Sequence, residues 1–177
     1  MSPLKKLLLT LNASISDREK GVAFIEANPT SFDELFDLVC AVKNTREHIV
    51  AAWVFERLIL KKIDSLTPRF DKFLIGAKAQ THESKRRPLA KVLFHYCDNN
   101  RRKAALSEKK IDAIVSICFA YMIDAKKIAA IGFAMKTLHL FINHQDWIEE
   151  EFRAYIEQKL PNSSAGFRSL VNQFIQI

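Results

Sequence analysis

A short pattern that returns every 37 to 41 residues does most to restrict how this chain can fold. Phe32-Asp-Glu-Leu-Phe36 recurs 38 residues later as Phe70-Asp-Lys-Phe-Leu74, then after 41 as Ile111-Asp-Ala-Ile-Val115 and after 37 as Ile148-Glu-Glu-Glu-Phe152. Each copy places an acid after an apolar residue, and apolar residues at the fourth and fifth positions; Glu151 breaks the fourth position of the last copy. An acid in the first turn is favoured by the partial positive charge of a helix N-terminus. Between the copies lie Ala51-Ala-Trp-Val-Phe55, Leu89-Ala-Lys-Val-Leu93 and Ala129-Ala-Ile-Gly-Phe133. Their small residues (Ala51, Ala52, Ala90, Ala129, Ala130, Gly132) would let neighbouring helices approach closely. A repeat of this length with two helices cannot bury its apolar side alone and must stack on its neighbours.

Helical periodicity fills the rest of the chain. Ile111, Ile114, Val115, Cys118, Phe119 and Met122 step by three or four wherever they are not adjacent, and Val50–Leu60 carries a broad apolar face. No convincing period-two alternation points to strands. Nine or ten helices are expected, at roughly 4–12, 16–27, 31–43, 46–64, 68–80, 85–97, 108–123, 126–143, 147–159 and 164–176, with short connections that make successive helices antiparallel. Ser31-Phe-Asp-Glu34, Asn44-Thr-Arg-Glu47 and Ser107 have the composition of helix starts, the first two with Glu at the capping-box position.

The stretch from Arg46 to Tyr96, with Ala-Ala-Trp-Val, Pro68-Arg-Phe and His82-Glu-Ser-Lys-Arg-Arg-Pro-Leu-Ala-Lys91, resembles a HEAT-like helical-repeat protein. It is also similar to short bacterial all-helical proteins, mostly of unassigned function, some of which are labelled adenylosuccinate lyase. The resemblance covers about residues 30–160 and brings no catalytic motif. The nearest approach to that enzyme's Gly-Ser-Ser loop is Ser163-Ser164, which runs on into Ala165-Gly166-Phe167. The expected fold is therefore all-α, a right-handed α-α superhelix of HEAT-like hairpins, in a single domain over residues 1–177.

Of 177 residues, 49% are hydrophobic and 27% charged, which suits a folded globular chain. No apolar run approaches a membrane span. Leu7–Leu11 is too short for a signal-peptide core and reads as part of a first amphipathic helix. Cys40, Cys97 and Cys118 are odd in number and far apart, as expected of buried free thiols in a cytoplasmic protein. No pair has metal-ligand spacing.

Catalytic patterns are equally scarce. His139, His144 and Asp146 are a conceivable metal set, but a five-residue spacing puts the two imidazoles on different helix faces. His95-Tyr96-Cys97 places a thiol and an imidazole close in sequence, where helical side chains diverge. Glu149-Glu150-Glu151 suits a solvated helix start. No phosphate loop, serine elbow or His-Glu-x-x-His motif occurs. No catalytic residue, metal or cofactor is expected.

The net charge of +7 is unevenly placed. Residues 85–127 hold eleven bases and four acids, while the remainder balances at sixteen of each. The candidate basic binding region comprises Lys85, Arg86, Arg87, Arg101, Arg102, Lys103, Lys109, Lys110, Lys126 and Lys127. The sequence favours a non-enzymatic repeat protein, monomeric or weakly dimeric, that binds another protein through its concave face or a loop edge. Nucleic-acid backbone binding through the basic region, as in HEAT-like DNA-repair proteins, is the alternative.

Overall fold

The computed structural model describes residues 1–175; Gln176, placed in the last helix by its sequence, and Ile177 lie outside the described residues. Eleven α-helices and two short 3-10 turns, with no strand, make up the regular structure of the described residues. One layer contains α3 (Ser31–Cys40), α5 (Phe70–Lys78), α8 (Glu108–Asp124) and α10 (Asp146–Lys159). The second contains α4 (Arg46–Lys61), α6 (Glu83–Cys97), α9 (Ile128–His139) and α11 (Ala165–Ile175). Contacts run α3–α5–α8 along the first layer and α4–α6–α9–α11 along the second, with α3 on α4, α5 on α6 and α8 on α9 between layers. The hairpin of α1 (Pro3–Thr10) and α2 (Ile15–Ala27) packs against α4, ahead of the first full pair and outside the two layers. This is an all-α superhelical repeat fold.

The recurring sequence pattern maps onto one layer. All four copies lie on first-layer helices, and their fourth and fifth positions are buried: Leu35 and Phe36, Phe73 and Leu74, Ile114 and Val115, then Phe152 alone. Glu151, which breaks the pattern, is exposed on α10, the last first-layer helix among the described residues. The small-residue segments lie on second-layer helices, where Ala51, Ala52, Ala90 and Ala130 are buried and α6 packs tightly between α4 and α9. Aromatic rings join the layers: Phe36 on α3 meets Phe55 on α4 at 5.6 Å between centroids, and Phe55 meets Phe73 on α5 at 6.2 Å. Phe70 stacks on Tyr96 of α6 at 3.9 Å. Full burial of such side chains stabilises by about 1.5–3 kcal/mol each.

Several local expectations change; Thr45 rather than Asn44 holds the cap position of α4, and neither it nor Ser107 makes a capping side-chain hydrogen bond. The segment 98–107, expected as a connection, holds the five-residue α7 (Asn100–Ala104), because the Asn99 side chain accepts from the Arg102 amide and caps it. This makes eleven helices where nine or ten were expected. Ser31 is the first residue of α3 rather than its cap, and Glu34 accepts a hydrogen bond from the Ser2 hydroxyl at 2.6 Å instead of closing a capping box. The last helix packs on α9 and buries Phe167, Leu170 and Val171.

Side chains from later in the chain cap the carbonyl ends of earlier helices. Arg46 donates to the Leu9 and Leu11 carbonyls beyond α1. Gln80 donates to the Cys40 and Ala41 carbonyls, and Lys85 Nζ to those of Ala41 and Lys43, at the end of α3. The Tyr121 hydroxyl donates to the Ala77 carbonyl of α5 at 2.6 Å, and Arg86 Nε to that of Gln80. The Tyr155 hydroxyl closes on the Met122 carbonyl of α8 at 2.6 Å.

The close approach of α3 and α5 depends on Gly76, where an added Cβ would sit 2.8 Å from the Cys40 side chain and 2.9 Å from its Cα. Gly76→Ala is expected to cost about 1–3 kcal/mol in chemical denaturation, because backbone must move. Gly166→Ala, whose Cβ would meet nothing nearer than 3.8 Å, is expected to be neutral or to stabilise by up to about 1 kcal/mol, as alanine favours helix.

Candidate functional site

The basic residues singled out in the sequence occupy two opposite edges and include structural groups. Lys85 is fully buried and Arg86 nearly so, Arg86 lying 5.3 Å over the Tyr121 ring and 3.6 Å from Asp124. The Glu83 carboxylate accepts from the Lys126 and Lys127 amides at 3.0 and 3.1 Å, which sets the start of α9 beside the start of α6. Lys85, Arg86, Lys126 and Lys127 thus share one edge. Arg101, Arg102, Lys103, Lys109 and Lys110 lie at the other, between α6 and α8. Arg102 is tied down by Asp64 at 2.7 Å, by the Tyr96 and His95 carbonyls, and over the Tyr96 ring. Lys110 reaches Asp71 at 3.2 Å.

Apart from Arg86 with Asp124, the pairings between repeats follow a rule. Glu19 holds Arg57 and Lys61, Glu26 meets Lys62, Asp33 holds Arg69, Asp37 holds Lys72, Glu56 holds Arg87 and Lys91, and Glu108 meets His144. In each, as in Asp64–Arg102 and Asp71–Lys110, the acid comes first and the base follows about one repeat later. Exposed pairs of this kind contribute only about 0–1 kcal/mol each, but together they explain part of the basic excess in the middle of the chain. Those bases answer acids of the preceding repeat.

The outer side of the second layer has a different character. Glu56, only 4% exposed, lies beneath Arg87 Nη2 at 2.7 Å and Lys91 Nζ at 3.1 Å, so α4 and α6 share one carboxylate and two cations. Trp53 is only partly buried; its indole N–H donates to the Ser84 carbonyl at 3.0 Å. Partly buried Phe94 and His95 on α6 meet Phe133 on α9 at 6.0 and 6.3 Å between centroids. Lys136 extends over the Phe133 ring at 5.9 Å. Beside it, Gly132 and Gly166 leave a notch of about 170 Å³ between α9 and α11, lined also by Ile128, Ala129 and Leu170. Aromatic rings, cations and a shallow notch are thus distributed over α4, α6, α9 and α11.

The remaining candidates lack reactive geometry. His139 packs against the Phe152 and Phe174 rings rather than beside His144, which lies 2.9 Å from Glu108. Burial pushes the Cys97 thiol up to about 12 and Cys118 well above the ordinary range, so neither is a thiolate at neutral pH. Among the described residues, no group of three or more His, Cys, Asp or Glu side chains could hold a metal ion, and no helix is long and apolar enough to cross a membrane. A cleft of about 670 Å³ lies between the end of α9, α10 and α11, walled by Ile142, Phe152, Ile156, Leu160 and Phe174, with His139, Glu149, Arg153 and Glu157 at its polar margin.

Phe94 and Lys136 did not stand out in the sequence, and Phe133 and Gly132 stood out only as part of a small-residue packing segment. Sorting residues by alternate helices, rather than by contiguous stretches, is the signal that brings them together. The sequence matches a family described as HEAT repeat domain over residues 6–176. No curated protein and no solved structure matches it.

Burial pushes the Lys85 ammonium down to about 8 from the ordinary 10.5. Between those values the unfolded chain binds the extra proton, so this group's contribution to stability rises as pH rises from 8 to 10.5. Relative to Lys85→Met, the natural protein should gain stability over that interval, measured by urea melts at stepped pH. Burial also raises the Cys40 thiol from 9.0 to about 11. Alkylation of Cys40 at pH 8 should therefore run roughly a hundredfold slower in the folded protein than in urea, followed by mass spectrometry.

Proposed function

Because the chain belongs to the HEAT repeat family, we propose that it is a non-enzymatic scaffold that binds another protein through the outer face of its second-layer helices. HEAT repeats are generally non-catalytic and commonly mediate protein interactions. The observation that carries the reading is the set of partly exposed Trp53, Phe94 and Phe133 on α4, α6 and α9, with Arg87, Lys91 and Lys136 on the latter two helices. Aromatic and arginine side chains with both apolar and polar surface are what protein interfaces concentrate. Shallow rings and a notch, rather than a deep cavity with convergent polar groups, suit a polypeptide surface better than a small substrate.

A second reading, nucleic-acid backbone binding through the 85–127 region, draws on Arg101, Lys103, Lys109, Lys126 and Lys127. None of these is ion-paired among the described residues, but they stand on two edges. It requires salt-dependent binding of duplex DNA or RNA at micromolar protein, measured by fluorescence anisotropy.

A photo-crosslinking amino acid at position 94 or 133 is expected to capture a discrete protein partner in cells of the native host. The same group at the exposed first-layer Ile75 should capture none of it. Equal capture from both faces, or none from positions 94 and 133, would overturn the protein-binding reading.

A further inference from the structure

The two helix layers carry opposite charge. First-layer helices hold twelve acidic and six basic side chains, a formal charge of −6; second-layer helices hold three and nine, a formal charge of +6. The three second-layer acids are Glu47, Glu56 and Glu83, and α9 and α11 contain none. Glu83 is occupied by the amides that start α9, and Glu56 is buried beneath two cations. Across α6, α9 and α11 an approaching chain therefore meets few carboxylates, and beside α4 the α2 carboxylates Glu19 and Glu26 are already paired with Arg57, Lys61 and Lys62.

The available positive charge is modest and widely spaced. Lys85 and Arg86 are buried, and Arg46 is bound to carbonyls. Arg57 and Lys61 share Glu19, and Arg87 and Lys91 share Glu56; each set leaves one unit of positive charge. Lys136 has no carboxylate within salt-bridge distance among the described residues, and its partner is the Phe133 ring. The surplus thus falls about once per helix across α4, α6 and α9, and packed helices stand about 8–10 Å apart. Duplex DNA carries a charge about every 1.7 Å and is held by many free cations. A polypeptide in the polyproline II conformation advances about 3.1 Å per residue with three residues per turn, so acids at every third position share one face and match the helix spacing. The intervening positions are then free to place an apolar side chain in the notch over Gly132.

We infer that the second-layer face docks an acidic polypeptide segment, its carboxylates on the α4, α6 and α9 cations and an apolar anchor in the notch between α9 and α11. This rests on the reading of that face as a protein-binding surface, and adds the chemistry of the partner. Recognition of this kind gives fast, salt-sensitive association, with apolar contacts supplying the rest of the affinity.

The test uses the full chain and three fluorescein-labelled probes: a short peptide of glutamate, aspartate and leucine, the same peptide with lysine for every acid, and a DNA duplex. The acidic peptide should bind in an anisotropy titration and weaken as salt rises. Lys136→Glu should lower its affinity roughly tenfold, Lys136→Met by less, and Lys78→Glu on the first layer by no more than about twofold. Lys136 has no buried partner, so thermal melts should show all three variants folded. Absence of acidic-peptide binding, tighter binding of the lysine peptide or duplex, or equal effects of Lys136→Glu and Lys78→Glu would overturn the inference. If crosslinkers at positions 94 and 133 still capture a protein when the peptide fails, only the acidic chemistry falls. If both fail, the binding face falls with it.

Discussion

The fold depends on how the carbonyl ends of its helices are satisfied. A helix leaves its last four carbonyls without internal partners, and a buried one left unpaired costs about 1–3 kcal/mol. Here α3 ends against Gln80 and Lys85, α5 against Tyr121 and Arg86, and α8 against Tyr155. Apolar packing alone would tolerate sliding of one hairpin over another. A phenol or ammonium directed at one particular carbonyl does not, so these contacts fix register where hydrophobic burial supplies only attraction. The demand also accounts for a buried lysine: its ammonium compensates the negative end of α3.

The same stacking organises the charges. An acid on one repeat and a base on the next meet in nearly every inter-repeat pair, from Glu19 with Arg57 to Glu108 with His144. The arrangement offsets repulsion between adjacent repeats. It also leaves the first layer acidic and the second basic, a separation across the molecule rather than along the chain.

Much of this was legible in the amino-acid order. The pattern at Phe32, Phe70, Ile111 and Ile148 marked the four first-layer helices, and the alanine-rich segments marked their partners, because burial between stacked hairpins imposes both periodicity and small residues. Local hydrogen-bond choices were not legible. Ser31 and Glu34 had the composition of a capping box, yet Glu34 found Ser2, a residue 32 positions away. The basic stretch 85–127 is contiguous along the chain, but its ends, Lys85–Arg86 and Lys126–Lys127, share one edge and its middle, Arg101–Lys110, lies at the other, a split that the stacking of hairpins already implies. Lys85 and Arg86 look like surface charges until the carbonyls they serve, donated by segments up to 44 residues earlier, are in place. Contacts at such separations are set by tertiary structure, which local propensity does not encode.

The carbonyl caps all point the same way along the chain. The groups that finish α3 arrive up to 44 residues after the carbonyls they serve, as does the tyrosine that finishes α5, and the one that finishes α8 arrives 33 residues later. During synthesis, α3, α5 and α8 would therefore leave the ribosome before the lysine or tyrosine that finishes them is made, so these three helix ends can be completed only about one repeat behind elongation.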